Sequence, residues 1–348
     1  METFDPDGIG IANGNYFGLP VDRQSADTVI VQVPWDATVS YGNGTSEGPE
    51  AIMDASLQVD LFDEKIAGVS GMKVWTMPQD GFISGMNREA RAKAEKVISA
   101  LASGAVQDEV AEDTAFVNDA SGKLNAYVEK VSAELLSEGK SVVLVGGEHS
   151  VPFGLIKALA DRNDDFGILH IDAHSDTRKA YEGFEYSHAS IMYNVSCRIP
   201  QVSRIVQVGI RDFCAAEHEL VTSSGKFAVF TDFSIQKDLF SGKTWKEICN
   251  GIIAELPEKV YISFDIDGLS PDNCPGTGTP VPGGMSFAQA DYLLYLLASS
   301  GKRIIGCDLC EVAPGEYGEW DANVGARMLF KLLVYCGFSN GKFPIFVK

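Results

Sequence analysis

The sequence predicts an α/β fold in which a mostly parallel sheet is covered by helices on both faces, and three observations predict it. Short β-branched runs alternate with amphipathic stretches along most of the chain. Several of these runs are apolar throughout, the pattern of strands buried on both sides. Acidic and imidazole side chains follow where the runs end, which is where open parallel sheets hold their ligands. With 348 residues, 45% apolar and 22% charged, the chain has an ordinary globular balance and reads as one domain over 1–348.

Residues Asp27 to Val33 form a first strand, β-branched and stopped by Pro34. The glycine-rich stretch Ser40 to Pro49 then reads as a loop over a site; its GNG is weak as a phosphate signal, because no P-loop lysine follows. Pro49 suits the first turn of a helix carrying Ile52 and Met53. Helix formers fill 87–103, whereas 105–120 is polar and acidic with little period and reads as a surface loop. Helical spacing returns at Leu124, Val128, Val131 and Leu135, and Gly139 is placed to end that helix in a left-handed cap. Further strands follow at Ser141–Val145, Ile168–Ile171, Ile205–Gly209, Val260–Phe264 and Ile304–Glu311, with Pro152 opening the helix after the first of them. Thr244 with Glu247, ahead of an apolar face of Trp245, Ile248 and Ile252, makes a capping box; Ser286 with Gln289 makes another, before an apolar helix to about Ala298.

Lys and Arg number 28 against 48 Asp and Glu, and a formal charge of −20 would repel a phosphate backbone, which argues against nucleic acid. The same charge attracts divalent metals or a cationic small substrate. Met1 to Gly8 is acidic, with no basic n-region and no apolar h-region, and no apolar run reaches the length of about 18 residues that a membrane span needs. Seven irregularly spaced cysteines fit reduced core thiols and a cytoplasmic location. Cys307 and Cys310 lack the second pair of a zinc ribbon and, three apart on a strand, face opposite ways, so both read as core.

The chemistry concentrates at Ile168–Asp176, where an apolar strand runs into Asp172, His174 and Asp176, alternate residues that leave its end pointing one way. His149 follows the strand at 141–145, and Asp265 and Asp267 follow the strand at 260–264. Two imidazoles and four carboxylates exceed what one ion can use. Two metals account for them, with Asp172 and Asp265 each shared, and a set this rich in oxygen favours Mn²⁺ over Zn²⁺ while leaving Fe²⁺, Co²⁺ and Ni²⁺ open. Pairing of these acids with basic side chains explains less, because the motif segments hold only Arg178, Lys179 and Arg211. Divalent ions about 3.5–4 Å apart can share a water and lower its pKa toward neutrality, giving a hydrolase its nucleophile. His170 reads as a core histidine inside its strand and His218 as an exposed one.

GGEHS at 146–150, DAHSD at 172–176, SFDIDGLSP at 263–271 and the proline-glycine stretch 276–284 together resemble the ureohydrolases, the arginase and agmatinase group. VPWDATVSYGNGTSEGP at 33–49 is similar to that family's N-terminal substrate-side loop, and residues 64–135 fall outside the resemblance and are expected to be a peripheral, variable segment. The resemblance implies a three-layer α/β/α fold and a two-manganese centre. One ion takes His149, Asp172, Asp176 and Asp265, and the other Asp172, His174, Asp265 and Asp267. It implies that activated water attacks a guanidinium carbon to release urea and an amine, and that the chain assembles as a trimer or hexamer. Glu311 matches the family's glutamate that holds the guanidinium, and His188 its proton-shuttling histidine. Asp212 stands where arginases use an acid near the substrate's α-amino group. Two residues depart from the pattern, Glu148 and Ser270, each where the family usually has Asp, and both bear on hydrogen bonding around the ligands.

The aromatic-rich stretch 181–190 is closer to agmatinases than to arginases, so agmatine, giving putrescine, leads as substrate. Arginine stays open through Asp212, and another guanidino acid through Arg178, which could pair with a substrate carboxylate. A non-catalytic family member acting as a binding protein and a single-zinc amide hydrolase are the rival classes; metal stoichiometry separates them.

Overall fold

The computed structural model describes residues 4–315 and 319–346, so the first three residues of the acidic N-terminal stretch lie outside it. The strands are β1 (Thr28–Val33), β2 (Val74–Met77), β3 (Ser141–Gly146), β4 (Phe166–Ile171), β5 (Val202–Ile210), β6 (Phe227–Thr231), β7 (Lys259–Asp265) and β8 (Arg303–Cys310). The helices are α1 (Gly48–Ser56), α2 (Gly81–Ala102), α3 (Ala111–Ser137), α4 (Phe153–Ala160), α5 (Ile191–Arg198), α6 (Ala215–Ser223), α7 (Asp232–Phe240), α8 (Trp245–Ala254), α9 (Phe287–Ser299) and α10 (Trp320–Ser339).

Among the described residues the eight strands form one sheet in the order β2-β1-β3-β8-β7-β4-β5-β6, with every neighbouring pair parallel. Side-chain alternation sorts the strands between two cores. Ile30, Val143, Leu169, Ile262 and Leu309 pack with α1, α8, α9 and α10 on one face; Val29, Leu144, Ile168 and Tyr261 pack with α2, α3, α4 and α5 on the other. The three layers are therefore α/β/α, as expected. Cys307 lies in the first core and Cys310 in the second, which is what three-residue spacing on a strand requires, and both are free thiols. No described helix is long and apolar enough to cross a membrane.

Local signals held where the chemistry was specific. Thr244 and Glu247 exchange both capping bonds, as do Ser286 and Gln289. Gly139, at φ 77°, closes α3 with Lys140 N–H donating to the Leu135 carbonyl at 3.2 Å. The polar interval 105–120 is not a surface loop: α3 begins at Ala111 and a short 3-10 turn precedes it. Its apolar face was hidden because small or polar Thr114, Ala120 and Ser121 occupy buried positions beside Val117 and Leu124, while Glu112 and Asp113 sit favourably at the helix N-terminus. Helix α2 likewise starts at Gly81 rather than 87, with the Asp80 carboxylate accepting from Phe82 N–H at 2.9 Å.

Candidate metal centre and active site

β3, β8, β7, β4 and β5 are consecutive across the sheet, and the residues just past their carboxyl ends converge. Beyond β3 the backbone presses onto the chain leaving β1: Gly147 N–H donates to the Val33 carbonyl at 2.9 Å, and a Cβ at Gly147 would stand 2.0 Å from the Trp35 carbonyl oxygen. Only glycine allows that approach, and it turns the buried His149 inward. His149 Nδ1 lies 2.9 Å from Asp172 Oδ2, 3.2 Å from Asp265 Oδ2 and 3.4 Å from Asp176 Oδ2. His174 Nδ1 lies 3.1 Å from Asp267 Oδ2 and 3.4 Å from Asp172 Oδ1. Asp172 thus turns one oxygen to each imidazole, and all six residues singled out as metal ligands share one cluster.

The route by which they meet differs from simple strand alternation. β4 stops at Ile171, and Asp176 adopts a left-handed φ of 53°. Its carbonyl accepts from Met192 and Tyr193 N–H at 3.0 and 3.1 Å, so the start of α5 holds this turn. The bend returns the Asp176 carboxylate to His149 while His174 reaches Asp267.

Buried polar groups beneath the cluster fix its orientation. Gln207 Nε2 donates to His170 Nδ1 at 3.0 Å, which leaves His170 Nε2–H to donate to Asp172 Oδ2 at 2.9 Å. His170 is a core histidine as expected, but its partner belongs to the cluster. Ser263 Oγ is 2.8 Å from His149 Nε2. Burial first, and the Asp172 charge next, push Asp176 up to about 7; burial, then Asp267 and Asp172, hold Asp265 well above the usual carboxylate range. Asp267 Oδ2 is buried and, although His174 Nδ1 is 3.1 Å away, accepts no well-aligned hydrogen bond. Crowded, desolvated carboxylates with an orphaned oxygen, arranged with imidazole nitrogens, fit a divalent cation. These residues could hold metal.

A cavity of about 140 Å³ stands over the cluster, with His174 and Asp176 in its wall beside Ser40, Arg178, Tyr181, His188, Asp212 and Thr279. His188 begins a short 3-10 turn, and its N–H donates to Thr38 Oγ1 at 3.2 Å. The Thr38 hydroxyl donates to Glu148 Oε1 at 2.8 Å, so its lone pairs face His188 Nδ1, 3.4 Å away, and His188 Nε2 is left as the basic nitrogen. Burial, then the nearby His174 charge, hold His188 down at about 3, so the ring is neutral. Glu148, longer than the usual Asp, also accepts from Thr38 N–H at 2.8 Å and from the Ser150 hydroxyl at 2.6 Å, and burial raises it to about 7.

Asp212 is exposed at the cavity mouth. Glu311 does not line the cavity. It is buried one layer deeper, at a left-handed φ of 64°, with Oε1 accepting from His149 N–H at 2.8 Å. Burial, then the Glu148 charge, hold it well above the usual carboxylate range. Sequence reasoning missed Thr38, Ser263, Gln207 and Tyr181. Gln207 could have been found as a polar residue within the apolar run IVQVG; nothing in residue type marks Thr38.

The profile of the family described as Arginase family matches residues 26–335, running through the motif-free segment 64–135. The chain is 30% identical over 320 residues, 91% of each chain, to a Synechocystis protein named N(1)-aminopropylagmatine ureohydrolase. It is 30% identical over 334 residues, 93% of each chain, to a Neisseria meningitidis protein named agmatinase. In fold it is similar to the agmatine ureohydrolase of Thermoplasma volcanium, with a TM-score of 0.70 at 21% identity over 94% of this chain and 96% of that one.

Proposed function

This chain belongs to the arginase family and is a hydrolase of amidine carbon–nitrogen bonds; within that class we propose that it is a two-manganese ureohydrolase cleaving agmatine to urea and putrescine. The observation that carries the metal reading is Asp172, whose two oxygens lie 2.9 and 3.4 Å from different imidazoles. One ion would take His149, Asp172, Asp176 and Asp265, and the other Asp172, His174, Asp265 and Asp267. When bound, such a pair supplies a water acidified toward neutrality.

The chain's own residues position the substrate and move protons. Glu311 would accept the guanidinium from below the cavity: its Oε1 is engaged by His149 N–H, and a Cβ at Gly278 would stand 3.2 Å from Oε2, so the bare glycine, next to cavity-lining Thr279, leaves space for the head group to reach down to it. His188, neutral and with Nε2 free, takes a proton from the attacking water and gives it to the departing nitrogen as the carbon–nitrogen bond breaks. Water supplies the oxygen of urea; one of its protons reaches the departing nitrogen through His188, and the other leaves the hydroxyl as the urea carbonyl forms and is taken up by the released amine.

Two observations favour an amine tail over a carboxylate. Arg178 is already engaged, its guanidinium stacked 4.7 Å from the Tyr181 ring centre and Nε 3.6 Å from Glu217. Asp212 at the mouth suits an ammonium. The exposed position of Asp212 also favours a second reading, in which a longer tail with two ammonium groups, as in N(1)-aminopropylagmatine, is taken. Urea release after Mn²⁺ loading, measured on agmatine, N(1)-aminopropylagmatine, arginine and guanidinobutyrate, tests both; release from none of them with metal bound refutes the reading.

A further inference from the structure

Helices α2 and α3 bear none of the ligand or catalytic residues, yet they hold both walls of the cavity. On the first wall, Asn87 Oδ1 accepts from Asp36 N–H at 2.9 Å and Asn87 Nδ2 donates to Asp36 Oδ1 at 2.8 Å. Arg91 donates to the Val39 carbonyl and, at 2.5 Å, to Asn43 Oδ1, so it spans the loop from which Ser40 faces the cavity.

On the second wall, Tyr181 and Phe184 close a tight turn through reciprocal backbone bonds of 3.1 and 2.8 Å, with Glu182 and Gly183 at left-handed φ of 54° and 88°. A non-glycine residue held there is strained and persists only where its surroundings over-determine it. The surroundings are α2 and α3: Phe184, 1% exposed, sits among Ala94, Val97 and Val117, and Asn118 donates to the Gly183 carbonyl at 3.0 Å and accepts from Glu185 N–H at 2.8 Å. The turn carries Tyr181, whose ring stacks on Arg178 and meets His188 edge-on at 6.1 Å.

We propose that the α2–α3 hairpin is a brace that fixes the distance between these two walls and so selects guanidines by their tails, with Asn118 and Arg91 as positioning residues. The proposal rests on the ureohydrolase reading above. The clustered acids and histidines are tied to the sheet and to one another, and His188 is anchored by Ser187 and by Thr38, which though on the first wall is itself pinned to buried Glu148 by two bonds of 2.8 Å that do not involve the hairpin. Loosening the brace therefore disturbs tail recognition and spares the reacting carbon.

Asn118→Leu keeps the volume and removes both hydrogen bonds, and Arg91→Met frees the other wall. For each, KM for agmatine is expected to rise about tenfold, the equivalent of roughly 1.4 kcal/mol of lost hydrogen bonding, with kcat within about twofold. The kcat/KM for methylguanidine, which has the head and no tail, stays level, as does Lys123→Met, a control on the exposed side of α3. An unchanged KM for agmatine, or an equal fall for methylguanidine, overturns the brace. Amide exchange of Phe184 and Glu185 provides a readout that needs no turnover: it quickens in Asn118→Leu if the brace exists, and unaltered protection refutes it. A wild-type chain that releases no urea from any guanidine, yet shows quickened exchange in the variant, refutes the ureohydrolase reading and leaves the brace standing.

Discussion

Thr38→Val is the sharpest test of the proton-handling side of the site. Valine keeps the shape of a side chain that is fully buried and deletes one hydroxyl. That hydroxyl donates to Glu148 Oε1 at 2.8 Å and accepts from His188 N–H at 3.2 Å. Glu148 keeps two donors, Ser150 Oγ and the residue 38 N–H, so it is weakened rather than orphaned. A hydrogen bond to a charged group contributes about 1.5–3 kcal/mol and a neutral one about 1, so the loss is about 2.5–4 kcal/mol. At roughly 1.4 °C per kcal/mol for a chain of 348 residues, melting falls by about 3.5–5.5 °C. With its tautomer unfixed, His188 forfeits part of the 10²–10⁴-fold that acid–base catalysis provides, and kcat should drop roughly 10- to 100-fold. Calorimetry and urea release from the manganese-loaded protein measure both, with Thr38→Ser restoring the hydroxyl as a control. A Val variant within twofold of the wild-type rate and within a degree of its melting point refutes the linkage.

Three further outcomes are expected. His174→Ala removes the imidazole facing Asp267 and Asp172, so bound manganese, counted by elemental analysis, should fall from two ions per chain toward one and turnover should be lost; a variant keeping both ions and full rate contradicts the assignment. Gly147→Ala places a Cβ 2.0 Å from a main-chain oxygen that cannot rotate away, so it should cost more than about 3 kcal/mol or prevent soluble expression. His188, held near 3 in the fold against an ordinary 6.5, stays neutral while the unfolded chain binds a proton, so wild-type stability falls as pH drops from 6.5 toward 3. Because the ring edge meets the water of the cavity, the slope should be about 1 kcal/mol per pH unit, under the 1.36 limit, and denaturant titrations of His188→Asn should lack that component; parallel curves refute it.

The parts of the site that could be read from sequence were those whose residue type is itself the chemistry. His149, the DAHSD row and the 265/267 pair mark themselves as candidate ligands because buried acids and imidazoles need a reason to be there. Helix α3 was partly unreadable for the opposite reason: Thr114, Ala120 and Ser121 are buried by close packing, which small residues permit without an apolar signature. Edge strands β2 and β6 are only four and five residues long and partly buried, and runs as brief as VWTM and FAVFT do not separate a strand from a helical segment by period. Asn118 and Arg91 were invisible as site residues, since their contacts join segments 65 and 48–52 positions apart and depend only on how the hairpin lies.

One further signal was present and follows from the sheet itself. Asp308, Ser263, His170 and Gln207 each interrupt an otherwise apolar strand, and the register pairs Asp308 with Ser263, Ser263 with His170, and His170 with Gln207. They make one polar row across four adjacent strands, on the face that packs against α2–α5. A single buried polar residue in a strand has many explanations, but four in register cannot be accidents of separate strands: unpaired, each would cost about 1–3 kcal/mol. Partners explain three of them: Ser263 bonds His149, His170 bonds Asp172, and Gln207 reaches both His170 and the Ser175 carbonyl. Asp308 accepts from Phe264 N–H at 3.2 Å through Oδ1, while its Oδ2 is buried without a partner. The row is the footing on which the cluster stands. In an all-parallel sheet, polar residues interrupting several apolar strands near their carboxyl ends therefore point to the site beyond them, even where no motif is recognised.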